Sequence, residues 1–231
     1  WHRLLLLLLP GLVLCGIAQA GTPPRVELTA TPAWQGWSRP GRSTEIDIRL
    51  STDTSVQATL EVLAGRQTVR SELALQPGRV MRLHIPVVSA AAGKVTLALT
   101  VASNEELPAG PIERRELVIA QSESPLLGVG LAAGGPVELE GFHSVTLTAQ
   151  DLPRNASAYS SVDALIVDAP TLGALDQRQL AALLAHGAAC GRIVLLNADA
   201  GVRQALQGEI GCGGHWLIMA ASLREARQML M

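Results

Sequence analysis

The chain has 231 residues, of which 48% are hydrophobic and only 16% charged. That balance excludes a disordered or coiled-coil protein and allows one large domain or two of ordinary size. A formal net charge of −2 gives no footing for nucleic acid, and aromatics at 3% leave the core to Leu, Val, Ile and Ala.

Residues 1–20 read as a secretory signal. Arg3 supplies positive charge, residues 4–9 and 11–17 form an apolar stretch, and Ala18-Gln19-Ala20 fits the small-x-small cleavage rule. Pro10 interrupts the stretch, which is shorter than the ~20 residues of a membrane span. Cys15 then belongs to the signal's apolar core. Export implies an oxidising compartment, the bacterial periplasm, where the mature chain keeps Cys190 and Cys212.

Residues 21–121 carry a period of two. Strands are expected over 25–33, 44–52, 56–64, 67–75, 80–88, 94–103 and 113–121. Ile46, Ile48 and Leu50 share one face, and Ala64-Gly65-Arg66 and Gln76-Pro77-Gly78-Arg79 are turn chemistry between strands. Seven short strands in about 100 residues predict an immunoglobulin-like β-sandwich, here without an inter-sheet cysteine pair. Trp34 and Trp37 are expected to plug the end of this sandwich, with a binding ledge as the alternative.

Residues 122–231 change rhythm. Short apolar runs at 126–131, 145–149, 164–167, 193–196 and 216–219 have the character of parallel strands buried on both faces. Asp176 can cap a helix presenting Leu180, Leu183 and Leu184 and ending near Gly187 or Gly191; a second helix is expected over 200–210 and a third from Ser222 to Met229. The pattern predicts a doubly wound, flavodoxin-like parallel-sheet domain. About a dozen residues join the first two runs, the minimum for a parallel crossover, so a lost helix and a hairpin both remain open. Gly128-Val129-Gly130 loosely matches a dinucleotide fingerprint. It falls inside a strand, with Pro136 where the helix should run, so packing is expected and a nucleotide cofactor is not.

The segments Ser161-Val162-Asp163-Ala164-Leu165-Ile166-Val167-Asp168, Leu175-Asp176-Gln177-Arg178-Gln179-Leu180 and Gly191-Arg192-Ile193-Val194-Leu195-Leu196 resemble the class I glutamine amidotransferase-like fold. The likeness covers roughly residues 124–230 and is greatest to the degenerate form in bacterial membrane-anchored envelope proteins. There an exported β-sandwich precedes the amidotransferase-like domain and transmembrane helices follow, so a product truncated at its C-terminus is expected. That fold's chemistry needs a cysteine at a strand-to-helix elbow, because a thiolate attacks the amide. Here the elbow is Leu196-Asn197-Ala198-Asp199. Catalysis is therefore not carried over, and no cofactor is implied.

Asp151, Asp168, Asn197 and Asp199 follow strands, at the carboxyl edge where α/β proteins keep their sites. Turn and capping roles are expected for them; a hydrolase or transferase using this acidic edge is the rival. Cys190 and Cys212 suit a disulfide, with free buried thiols or a zinc site including His186 and His215 as alternatives. The function expected is that of the non-catalytic periplasmic portion of a membrane-associated envelope protein. It would act through contacts with other envelope or membrane proteins or a ligand, with no nucleic acid involved.

Overall fold

The computed structural model describes residues 24–88, 93–102, 110–199, 201–202, 204 and 217–230. The segment expected to be a secretory signal, Cys15, Cys212, His215 and most of the helix expected over 200–210 lie outside them.

Alternation in the first half produces strands that bury one face. They are β1 (Val26–Pro32), β2 (Trp37–Ser38), β3 (Ser43–Thr52), β4 (Val56–Ala64), β5 (Gln67–Leu75), β6 (Met81–Val88), β7 (Lys94–Val101), β8 (Gly110–Val118) and β9 (Ala120–Gln121). A three-stranded sheet β1-β3-β6 faces a four-stranded sheet β5-β4-β7-β8, both antiparallel. Ile46, Ile48 and Leu50 from one sheet and Leu60, Val62, Leu97 and Leu99 from the other form a single core between them. The turns at Gly65 (φ 60°) and Gly78 (φ 71°) need the positive dihedral that glycine adopts without steric cost. The strand expected over 113–121 divides at Ile119. Its N–H bonds Gly93 O, and β9 leaves the sheet to pair parallel with β2.

The second half holds β10 (Leu126–Gly130), β11 (His143–Leu147), β12 (Ala164–Asp168), α1 (Ala169–Gly173), α2 (Gln177–Ala188), β13 (Ile193–Leu196), β14 (Leu217–Ala220) and α3 (Leu223–Leu230). Its five strands form one parallel sheet in the order β11-β10-β12-β13-β14. Successive side chains alternate faces. Leu126, Leu165, Val167 and Leu195 pack with Ala182 and Leu183 of α2 on one side. Leu127, Val129, Ile166 and Val194 pack with Ala226 and Leu230 of α3 on the other. Both faces are apolar because both are covered.

Asp176 caps α2 by accepting from the N–H groups of Arg178 and Gln179, each at 2.9 Å, while the Gln179 side chain accepts the Asp176 N–H at 3.0 Å. This reciprocal box fixes where the helix starts. The β10–β11 connection, 131–142, contains no helix, yet the strands are parallel. Val137 and Leu139 from this crossover are buried on the α3 side, covering sheet surface that a helix would otherwise cover.

The tryptophan is placed differently from expectation. Trp34, Gln35 and Gly36 take φ values of 55°, 51° and 81° in succession, a reversal that swings Trp34 off the first half. Its ring is fully buried in the second half's core, edge-on to Tyr159 at 5.4 Å, with Nε1–H donating to Ala158 O at 3.0 Å. Gly128 makes the room: a Cβ there would lie 2.8 Å from Leu165 Cδ1 and 3.0 Å from Trp34 Cζ3. Close packing, as expected, accounts for this part of the glycine pattern.

The two halves share further contacts. The 3-10 helix Ala156–Ser161 lies on the outer face of β3, where the Ser43 N–H donates to Ser160 Oγ (3.0 Å) and Ser161 Oγ donates to Ser43 O (2.7 Å). Arg39 pairs with Asp163 at 3.4 Å and donates to the carbonyls of Ser122 and Glu123.

Candidate functional site

The carboxyl edge of the parallel sheet is built from the residues following β11, β12 and β13. Asp168 ends β12. Its Oδ1 accepts the Thr171 N–H at 2.9 Å and its Oδ2 the Ala132 N–H at 3.0 Å, tying the loop after β10 to the start of α1. Asp151 Oδ2 accepts from the Thr148 N–H (2.8 Å) and hydroxyl (2.7 Å) in a second capping box. Asp199 Oδ1 accepts the Val202 N–H at 2.8 Å. All three carboxylates thus satisfy backbone donors that would otherwise be unpaired at chain turns. Asn197 holds the elbow after β13 at φ 52°, its N–H donating to Ala220 O at 3.1 Å. A carboxamide there offers no nucleophile. Asp168 and Asn197 lie on adjacent strand ends, whereas Asp151 lines a cavity at the junction of the halves.

At the opposite edge, α2 ends in a Schellman motif: Gly191 N–H donates to His186 O and Cys190 N–H to Gly187 O, both at 2.9 Å. The left-handed position, usually glycine, is Cys190 at φ 64°. Cys190 is disulfide-bonded, so its sulfur is not a thiolate available to zinc. Its proposed partner, Cys212, and the proposed ligand His215 lie outside the described residues. Among the described residues no group of three or more His, Cys, Asp or Glu is arranged to hold a metal.

His186 stacks on Tyr159 with ring centroids 5.2 Å apart, and burial pushes its pKa down to about 4. Its Nε2 is buried with no hydrogen-bond partner among the described residues. The imidazole lines a cleft of about 590 Å³ with Arg42, Ser160, Asp163, Cys190 and Arg192. Burial, reinforced by the nearby Glu45 carboxylate, raises the Tyr159 hydroxyl far above its ordinary value. Tyr159 therefore stays protonated and donates to Pro153 O at 3.3 Å.

The third polar region is the junction, which the sequence pattern did not single out. Glu45, Asp47 and Arg49 alternate along the outer face of β3, with His84 and Arg82 beside them on β6. Glu45 is only 3% exposed; its Oε1 accepts the Arg154 N–H at 3.1 Å and lies 3.3 Å from His84 Nδ1. These charged residues sit at alternate positions facing away from the first core. That is a signal of a polar strand face, but it does not say that the other half lies against it.

Comparison with known proteins places the chain in no family: no family model matches it, and no curated protein does. Among solved structures it is similar to the CARDB domain of the PF1109 protein from Pyrococcus furiosus, at 11% identity and TM-score 0.33, over 43% of this chain and 89% of that one. It is similar to the sporulation control protein Spo0M from Bacillus subtilis at 8% identity and TM-score 0.27, over 43% of this chain and 50% of that one. A Paenibacillus cycloisomaltooligosaccharide glucanotransferase is similar over 74% of this chain and 27% of that one, at 12% identity and TM-score 0.29. Likenesses of this degree identify neither family nor activity.

Proposed function

We propose that the chain is the exported, non-catalytic portion of a membrane-associated bacterial envelope protein, acting through contacts with envelope proteins or a ligand. In this reading residues 21–121 form an immunoglobulin-like sandwich and residues 122–231 a doubly wound domain of the degenerate class I glutamine amidotransferase-like kind. Numbered along the second half, the strand order is 2-1-3-4-5, which supports that architecture, as do the helices against both faces. The observation that carries the functional reading is the use of the carboxyl edge. Its three aspartates hold backbone N–H groups, and Asn197 occupies the strained elbow.

Purified chain incubated with glutamine should release no ammonia, and a panel of ester, amide and phosphate substrates should show no turnover. Turnover that disappears in Asp168→Asn would establish the rival, a hydrolase or transferase working from this edge. Export is tested separately, by fractionating bacteria that express the full chain and assaying the periplasmic and membrane fractions.

A further inference from the structure

We infer that the cleft at the junction of the two halves is a binding site for a compact oxyanion, the carboxylate or phosphate group of a small ligand. Asp168 and Asp199 line neither this cleft nor its neighbour, although Asp176 and Asp151 border them, and the inference stands whether or not the carboxyl edge is catalytic.

In the β3–β6 pairing Arg49 is directly opposite Arg82, both on the face turned away from the first core. Like charges directly opposite on neighbouring strands are destabilising unless something neutralises them. A third guanidinium, Arg154, approaches from the second half. The three line one cleft of about 270 Å³, together with Gln150 and Asp176. Arg49 reaches Asp47 at 3.3 Å and Arg154 reaches Asp176 at 2.8 Å, one nitrogen in each case. Arg82 is exposed and makes no ion pair or hydrogen bond among the described residues. Within this cleft three guanidiniums face a single lining carboxylate, Asp176, and Arg82 has no acid partner of its own among the described residues, in a concave space of a size suited to a small anion.

The donor chemistry fits. A guanidinium presents five N–H donors in a planar fork that matches carboxylate and phosphate oxygens, and these three keep donors beyond the ones already used. The neighbouring cavity, about 260 Å³, shares Arg49, Gln150 and Arg154 and continues to Glu45, Asp47 and Asp151. Those acids repel an anion from the inner end and confine it to the Arg82 end. Because the walls come from β3 and β6 on one side and the Arg154 and Asp176 segments on the other, an occupant bridges both halves.

The test is calorimetric titration of the full chain with inorganic phosphate and, separately, with succinate, at constant ionic strength held with sodium chloride. Arg82→Gln is the informative variant, since an exposed side chain without a partner can be replaced without disturbing the fold; Arg66→Gln, in the exposed β4–β5 turn, is the control. Saturable binding of either probe, weakened about tenfold or more by Arg82→Gln and unchanged by Arg66→Gln, supports the site. The tighter probe then names the ligand class. Absence of saturable binding by both probes, or equal affinity in Arg82→Gln, overturns it.

Discussion

Gly128 and Trp34 form a size-matched pair across the junction, and their matching has a measurable energy. Replacing Gly128 with Ala inserts a Cβ 2.8 Å from Leu165 Cδ1 and 3.0 Å from Trp34 Cζ3, inside van der Waals contact. Overpacking of this kind costs about 1–3 kcal/mol. Trp34→Phe removes the offending benzo ring, but it also removes the Nε1–H donor to Ala158 O. A buried carbonyl left unpaired costs about 1–3 kcal/mol. In the double variant the methyl occupies space the indole has vacated, so the combined loss should fall short of the sum by about 1–2 kcal/mol, within the range for contacting residues. Urea denaturation followed by far-ultraviolet circular dichroism reads this directly. With m near 3 kcal/mol/M, a loss of 2 kcal/mol moves the midpoint down by about 0.7 M. Strict additivity, within about 0.5 kcal/mol, would refute the packing argument.

A methyl at Gly191 would fall within the His186 imidazole, so Gly191→Ala should lower stability by about 1–3 kcal/mol, and His186→Ala in the same chain should restore part of it, read by thermal denaturation. His186 is neutral when folded, with a pKa near 4 against 6.5 unfolded. Stability should therefore be undiminished above pH 6.5 and fall by up to about 3 kcal/mol between pH 6.5 and 4, a decline that His186→Phe should flatten in urea midpoints measured across that range. If Cys190 pairs with Cys212, then Cys212→Ser frees one thiol at Cys190 for labelling in unfolded, unreduced protein and lowers stability by about 3 kcal/mol for a loop of about 22 residues. Failure of Cys212→Ser to expose that thiol would reject the pairing. Asp168→Ala orphans the Ala132 and Thr171 N–H groups and should cost about 1–2 kcal/mol in the same urea assay.

Local rules made much of the architecture readable. The alternation Ile46-Asp47-Ile48-Arg49-Leu50 can bury only one face, and β3 does so; Ile193-Val194-Leu195-Leu196 has no polar face, and β13 is covered on both sides. The Asp176 cap is a rule of one helical turn, and the helix begins where it says. Features depending on distant residues were less visible. Nothing near Trp34 says that its ring will enter a core 124 residues further along, against Ala158. The β10–β11 crossover has too few residues to specify a helix, and its shape follows from Val137 and Leu139 seeking the sheet. The acids of the carboxyl edge were legible as positions, but their bonding to backbone N–H groups emerges only when the loops fold. The junction arginines were invisible as a group because Arg154 lies 72 residues beyond Arg82 in the chain.

The segment joining the two halves is itself a strand. β9 pairs with β2, the Ser122 N–H donates to Ser38 O at 3.0 Å, and Arg39 grips the carbonyls of Ser122 and Glu123. A pivot would have to break these bonds and draw the Trp34 indole out of the opposite core. Opening and closing of one half on the other is therefore opposed by these described contacts. The junction cleft is therefore expected to hold one width, as a locked caliper does. Whatever enters it is selected by fit to a preset gap, little conformational freedom is lost on binding, and occupancy should leave the relative orientation of the halves unchanged.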